Sequence, residues 1–344
     1  MNTTKNSRTT PSKKNAGRPV TRKLKETIFL KDDFISYLQS RDLAPSSIAH
    51  YVRELALFLA WIDKEETGIT KPEVLKYLEY LKNNRNLENI SRSRVLNALN
   101  HYFSFLLNQQ QITANPCALL KIRGSKQKSL YRTFTTEELT ELYDRFYLLY
   151  VRDYDYSHIP QNQRKQSGLS KQRNAVILNI LIHQGTTTKE IDRLQLSDLD
   201  LMNATLKIHG GRKSNGRTLK LEATQIGVLM HYLQNIRPQL AEYHDNVASE
   251  KLFLTLPETS KRTTDSQNLM PVFKPLTKQL KQIDTNFLNL QQLRASVITN
   301  WLKVYGLRKT QSLAGHRYIS STEKYRANDL QQLTDDISKL HPLR

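Results

Sequence analysis

Apolar residues recur every three or four positions through the first third of the chain, the period of helices with one buried face. Phe34, Ile35, Tyr37 and Leu38 mark a first stripe; Ile48, Val52, Leu55, Phe58, Leu59 and Ile62 mark a second, opened by Pro45-Ser46-Ser47. Thr70-Lys71-Pro72-Glu73 reads as a capping box with an early proline, and Leu75, Leu78 and Leu81 follow it. Val95, Leu99, Phe103 and Leu106 define a further helix with Arg92 and Arg94 at its start, and Asn115-Pro116 ends the run. The pattern predicts a compact bundle of four or five short helices.

The second half changes period. Thr135-Thr136-Glu137-Glu138 is another capping box, with helical stretches expected at 137–150 and 173–183. The run Val176 to Ile182, interrupted by Asn179, reads as a core helix. Alternation then predicts a hairpin pairing Thr205–Ile208 with Arg217–Leu221 across Gly210-Gly211 and Asn215-Gly216. Helices are expected over 223–236, 289–304 and 321–340, and 151–170 reads as a surface loop. The fold class is therefore mainly α with a small β-sheet. The chain divides into a basic arm (1–25), a helical domain (26–122), a basic linker (123–132) and a mixed α/β domain (133–344). The arm has eight Lys and Arg residues, no acid and too little apolar surface to order itself.

Charge narrows the partners. Fifty-two Lys and Arg against 32 Asp and Glu leave a net +20 over 344 residues, an excess that favours nucleic acid through counterion release. Lys121, Arg123, Lys126 and Lys128 cluster around the linker without an acid, and with Arg92, Arg94 and Arg212 they are the candidate DNA contacts. The single cysteine, Cys117, excludes an intrachain disulfide and a cysteine-based zinc site, as expected of a cytoplasmic protein, here nucleoid-associated. No stretch approaches the roughly 20 apolar residues of a membrane span, so no membrane partner is expected.

The candidate chemistry lies near the end, where Leu313-Ala314-Gly315-His316 is followed nine residues later by Tyr325. Arg294 stands upstream on a helix whose apolar positions are Leu293, Val297, Ile298 and Trp301. Add the Asn115-Pro116 exit, Arg173-Asn174-Ala175 leading to Gly185, Glu190-Ile191, Leu196-Ser197-Asp198-Leu199-Asp200 and the hairpin, and nearly everything after the arm resembles the tyrosine recombinases, or phage-integrase-type proteins. The resemblance implies a core-binding helical domain and a catalytic domain closing as a C-shaped clamp on double-stranded DNA. It also implies four protomers assembling on two sites. An apolar stripe after Tyr325 (Leu330, Leu333, Ile337, Leu340) would dock on a neighbour or on its own domain.

The resemblance implies Tyr325 as nucleophile, His316 as the second histidine and Arg294 as the second arginine. Lys213 or Arg212 would be the hairpin-turn proton donor, and Lys213 is the choice because a guanidinium does not readily release a proton. Such chemistry needs no metal, ATP or other cofactor. Arginine forks suit it because they are planar, permanently charged and bidentate toward phosphate. Two positions depart from the pattern. Gln291 replaces the first histidine, and Thr187 stands where the first arginine belongs. Losing an arginine from a phosphoryl-transfer site can cost about 10³- to 10⁵-fold in rate. Lys189 and Arg193 are off the helical face of Thr187, so nothing in the sequence marks a substitute. Two functions follow: a site-specific recombinase or integrase with a 3′-phosphotyrosyl intermediate, or a DNA-binding accessory or architectural protein with a weakened site.

Overall fold

The computed structural model describes residues 30–124, 132–212, 214–243, 249–256 and 268–326. The basic arm, Lys126, Lys128, Lys213 and the stripe Leu330–Leu340 lie outside these residues. The chain falls into two compact units, divided between residues 127 and 128.

Among its described residues the first unit is built from helices and no strand: α1 (Lys31–Ser40), α2 (Pro45–Ile62), α3 (Lys71–Asn83) and α4 (Asn89–Asn108). Phe34 and Leu38 of α1 and Leu55 and Phe58 of α2 are fully buried, meeting Val95, Leu99, Phe103 and Leu106 of α4. An edge-on contact of Phe34 with Tyr102, at 5.0 Å, adds a directed aromatic pair. On α3 the buried stripe is Val74, Tyr77, Leu78 and Leu81, while Leu75 is exposed. That corrects the expected Leu75 stripe: the true face includes Tyr77, whose ring packs on Phe58 at 4.9 Å. Asn115 secures the exit from α4. Its amide donates to Asn100 Oδ1 and Ser104 Oγ (both 2.9 Å), and its carbonyl accepts from the Cys117 N–H at 2.8 Å.

The second unit is built around two long helices. They are α6 (Gln161–Gln184) and α11 (Leu290–Ala314), the latter broken at Gly306, whose φ is 70°. Around them stand α5 (Thr136–Tyr147), the short α7 (Thr188–Arg193), α8 (Ala223–His231), α9 (Arg237–Ala241), α10 (Met270–Ile283) and α12 (Ile319–Arg326). The strands β1 (Leu199–Asp200), β2 (Thr205–Ile208) and β3 (Arg217–Lys220) form an antiparallel sheet in the order β1-β2-β3. Residues 175–178 and 180–182 of α6 are buried, and Asn179 among them accepts from Gln225 Nε2 at 3.1 Å.

Three expectations are corrected here. Residues 161–170 are the first turns of α6 rather than loop. The helix expected over 289–304 continues past its break to Ala314, and α10 was not anticipated. Among the described residues, no helix is long and apolar enough to cross a membrane.

Candidate active site

Helix α6 stops at Gly185, which adopts φ 52°; a Cβ there would lie 3.0 Å from Val297 Cγ1, so both the turn and the α11 contact require glycine. The chain then starts α7 with Thr187 as its N-cap. The Thr187 N–H donates to Glu190 Oε2 at 2.7 Å, and the Glu190 N–H donates to Thr187 Oγ1 at 3.2 Å, the two bonds of a capping box. The Thr187 hydroxyl is thus engaged by the backbone at the helix start, a role no arginine could perform.

Glu190 is the charge at the centre. Arg217, the first residue of β3, forks onto it with Nη1 2.6 Å from Oε1 and Nη2 3.3 Å from Oε2. Arg294 Nη1 lies 3.5 Å from Oε2. Burial alone would raise the Glu190 carboxyl, but the hydrogen bond and charge of Arg217, with help from Arg294 and the Thr187 N–H, hold it below the usual carboxylate range. Arg294 is buried on α11, where it donates through Nη1 to the Gly185 carbonyl and through Nη2 to that of Ala314 at 2.8 Å. Burial lowers its pKa and Glu190 opposes the shift. An arginine so held keeps its charge.

Gly315, at φ 66°, turns the chain out of α11 so that His316 faces the cluster. Its carbonyl accepts from the Asn215 N–H at 2.9 Å, joining the hairpin turn to this corner. The His316 ring lies between two partners: Nε2 is 3.3 Å from Arg294 Nη2, and Nδ1 is 2.9 Å from Thr322 Oγ1. A guanidinium only donates, so Nε2 must accept, and the proton of the neutral ring sits on Nδ1. Burial first, then the charges of Arg294 and Arg217, depress the His316 pKa to about 4. Tyr325 of α12 stacks on this ring with centroids 5.6 Å apart and planes 11° apart, and its hydroxyl interacts with the Arg294 guanidinium.

The structure therefore brings together Arg294, His316 and Tyr325, with Thr187 adjacent through Glu190. Gln291, one turn before Arg294, is exposed. Arg212 lies exposed in the hairpin turn, next to Lys213, of which the structure describes nothing. In the first unit, Arg94, Lys121 and Arg123 are exposed, whereas Arg92 is partly committed within the fold, to Asn89 Oδ1 and the Leu78 carbonyl. Among the described residues, no group of three or more His, Cys, Asp and Glu gathers to hold a metal. Sequence reasoning used Glu190 and Arg217 only to mark register and did not count them in the site. The signal for Arg217 was present: it shares the inward face of β3 with Leu219, opposite Ile208 of β2.

Comparison with known proteins gives the class first. A profile described as "Phage integrase family" matches residues 152–332, more than half of the chain, and one described as "Phage integrase, N-terminal SAM-like domain" matches 30–113. The chain belongs to the phage integrase family, the tyrosine recombinases. It is 25% identical over 319 residues to the tyrosine recombinase XerC of Natranaerobius thermophilus, covering 90% of this chain and 97% of that one. It is also 25% identical over 318 residues to the tyrosine recombinase XerD of Oceanobacillus iheyensis, again covering 90% and 97%. Among solved structures, XerH site-specific recombinase in a post-cleavage complex with a palindromic difH substrate shares the fold at a TM-score of 0.63 and 18% identity, over 90% of this chain and 84% of that one. The Tn1549 transposon integrase with transposon right end DNA aligns at a TM-score of 0.59 and 13% identity, over 91% and 99%.

Proposed function

We propose that this chain is a site-specific DNA recombinase that cuts and rejoins double-stranded DNA through a covalent 3′-phosphotyrosyl bond at Tyr325. The observation that carries it is the convergence of the Tyr325 ring, the unprotonated Nε2 of His316 and the buried Arg294 guanidinium that Nε2 accepts from, on one spot, from two helices and the turn between them. The Tyr325 oxygen bonds to phosphorus as the bond from phosphorus to the 5′ oxygen breaks. The phenol proton passes to His316 Nε2, whose basicity rises when a phosphate anion is bound beside it. The 5′ oxygen takes a proton from Lys213, the donor that the family resemblance assigns. Charge building on the nonbridging oxygens meets Arg294, whose position is fixed by two backbone carbonyls before substrate arrives. The phosphotyrosine keeps the energy of the broken bond, so religation calls for neither ATP nor metal.

The DNA itself is a partner on two supports. Two related structures are of complexes with DNA. The exposed Arg94, Lys121 and Arg123 of the first unit suit a phosphate backbone. Strand exchange between two sites requires several protomers, and a homotetramer on two sites is the assembly the family suggests.

One observation favours the accessory, non-cleaving alternative: Thr187 caps α7 and brings a single neutral hydroxyl, without charge, where the family has a guanidinium. Incubation with a nicked suicide duplex of a site that the protein binds tightly separates the two. We expect a denaturation-resistant protein–DNA adduct that is absent in Tyr325→Phe. A tightly bound duplex that yields no adduct would establish the accessory role.

A further inference from the structure

The geometry points to Arg217 as the second phosphate-clamping arginine of this site, supplied from strand β3 in place of the one that Thr187 displaces. The inference rests on the recombinase reading and deepens it.

Position comes first. The Arg217 side chain is 4% exposed and extends from the inward face of the sheet to Glu190. The same carboxylate meets the Arg294 guanidinium. One acid therefore orients two guanidiniums side by side, one from β3 and one from α11. The corner carrying His316 presses directly on the first of them. A Cβ on Gly315 would lie 2.6 Å from Arg217 Nη1 and 2.8 Å from the Asn215 carbonyl oxygen, so only glycine lets this turn close over the guanidinium. Arg217 thus sits within the group formed by Glu190, Arg294 and His316, against which Tyr325 stacks. The field agrees with the distances, since the charge of Arg217 acts on both His316 and Arg294.

Donor accounting comes second. Arg217 carries five N–H groups and Glu190 takes one from each terminal nitrogen. Its Nε is buried with no hydrogen-bond partner. A buried guanidinium N–H without an acceptor is costly unless a ligand supplies one. The oxygen-rich group this site is built to receive is a phosphodiester.

Charge comes third. With His316 neutral, Arg217, Arg294 and Glu190 sum to a single positive charge, which balances a phosphodiester anion. Without Arg217 the same cluster would be neutral. As Tyr325 bonds to phosphorus and the bond to the 5′ oxygen breaks, a second negative charge develops on the nonbridging oxygens. Two fixed forks then share it. The element that donates a guanidinium does not matter to the phosphate; only its placement does.

Two arms test this, and they fail separately. In the first, Arg217→Ala and Arg217→Lys are compared with the parent on the nicked suicide duplex. Arg217→Ala should slow adduct formation by about 10³- to 10⁵-fold, and Arg217→Lys, which keeps charge but loses the fork, should fall between the two. A parent that forms no adduct would overturn the recombinase reading alone. The second arm needs no cleavage. In a Tyr325→Phe background, a neutral methylphosphonate is scanned through the bound site, and affinity is measured with and without Arg217→Ala. One linkage should lose affinity on neutralisation, and that loss should largely vanish in Arg217→Ala. A purely structural Arg217 would weaken all duplexes equally, and that result overturns the proposal. So does an Arg217→Ala protein that cleaves at the parental rate.

Discussion

His316 shows how far a residue's chemistry depends on what surrounds it. An imidazole ordinarily titrates near 6.5, yet here burial and two arginines hold it to about 4. Because the folded value is the lower one, the unfolded chain takes up a proton between these limits that the folded chain refuses. The contribution of His316 to stability is therefore full above about pH 6.5 and is lost as pH falls toward 4. Denaturant unfolding at a series of pH values should show the parent losing more stability over that window than His316→Gln. Equal losses would mean that the ring is not held neutral. At the same scale, Thr187 and Arg217 exchange the roles their residue types suggest. The threonine at the expected arginine position closes a helix cap, and the arginine in a strand register lies against the site carboxylate. Arg217 was legible in principle, since alternation places it on the face of Leu219 and Leu221. What hides it in the sequence is that a strand-end arginine beside a charged turn looks solvated.

At the scale of elements, α7 matters more than its six residues suggest, because it carries Glu190 and begins on Thr187. Thr187→Ala should cost about 1 kcal/mol by urea unfolding, whereas Thr187→Ser should retain most of the cap. An alanine variant as stable as the parent would show that the capping box contributes nothing here. The amphipathic helices were readable from spacing alone, and so were the hairpin and its pairing of Thr205–Ile208 with Arg217–Lys220. What escaped has physical causes. The first turns of α6 are polar, with Gly168 among them, so periodicity fails until the buried run at Ala175. Helix α10 contains Pro271 and Pro275, which read as breakers, although its buried Phe273, Leu276 and Leu280 hold the face together. On α3 the leucine spacing pulls the stripe one position toward Leu75, whereas the buried face runs through Val74 and Tyr77, the latter packed against Phe58.

At the scale of the molecule, the order of parts along the chain carries the family resemblance without any distance. The profile matches over 30–113 and 152–332 show that family. What no pattern could supply was the three-dimensional meeting of β3, α7, α11 and α12 around Glu190. These elements are separated by up to a hundred residues and more, and only the folded unit brings them to one point. The central claim is that Tyr325 is the nucleophile. It is tested most directly by trapping the protein on a nicked duplex, digesting the DNA and mapping the nucleotide-linked residue by mass spectrometry. The account predicts a phosphate bridge to Tyr325. A bridge to any other residue, such as the exposed Tyr318, or no bridge on tightly bound DNA, would contradict it.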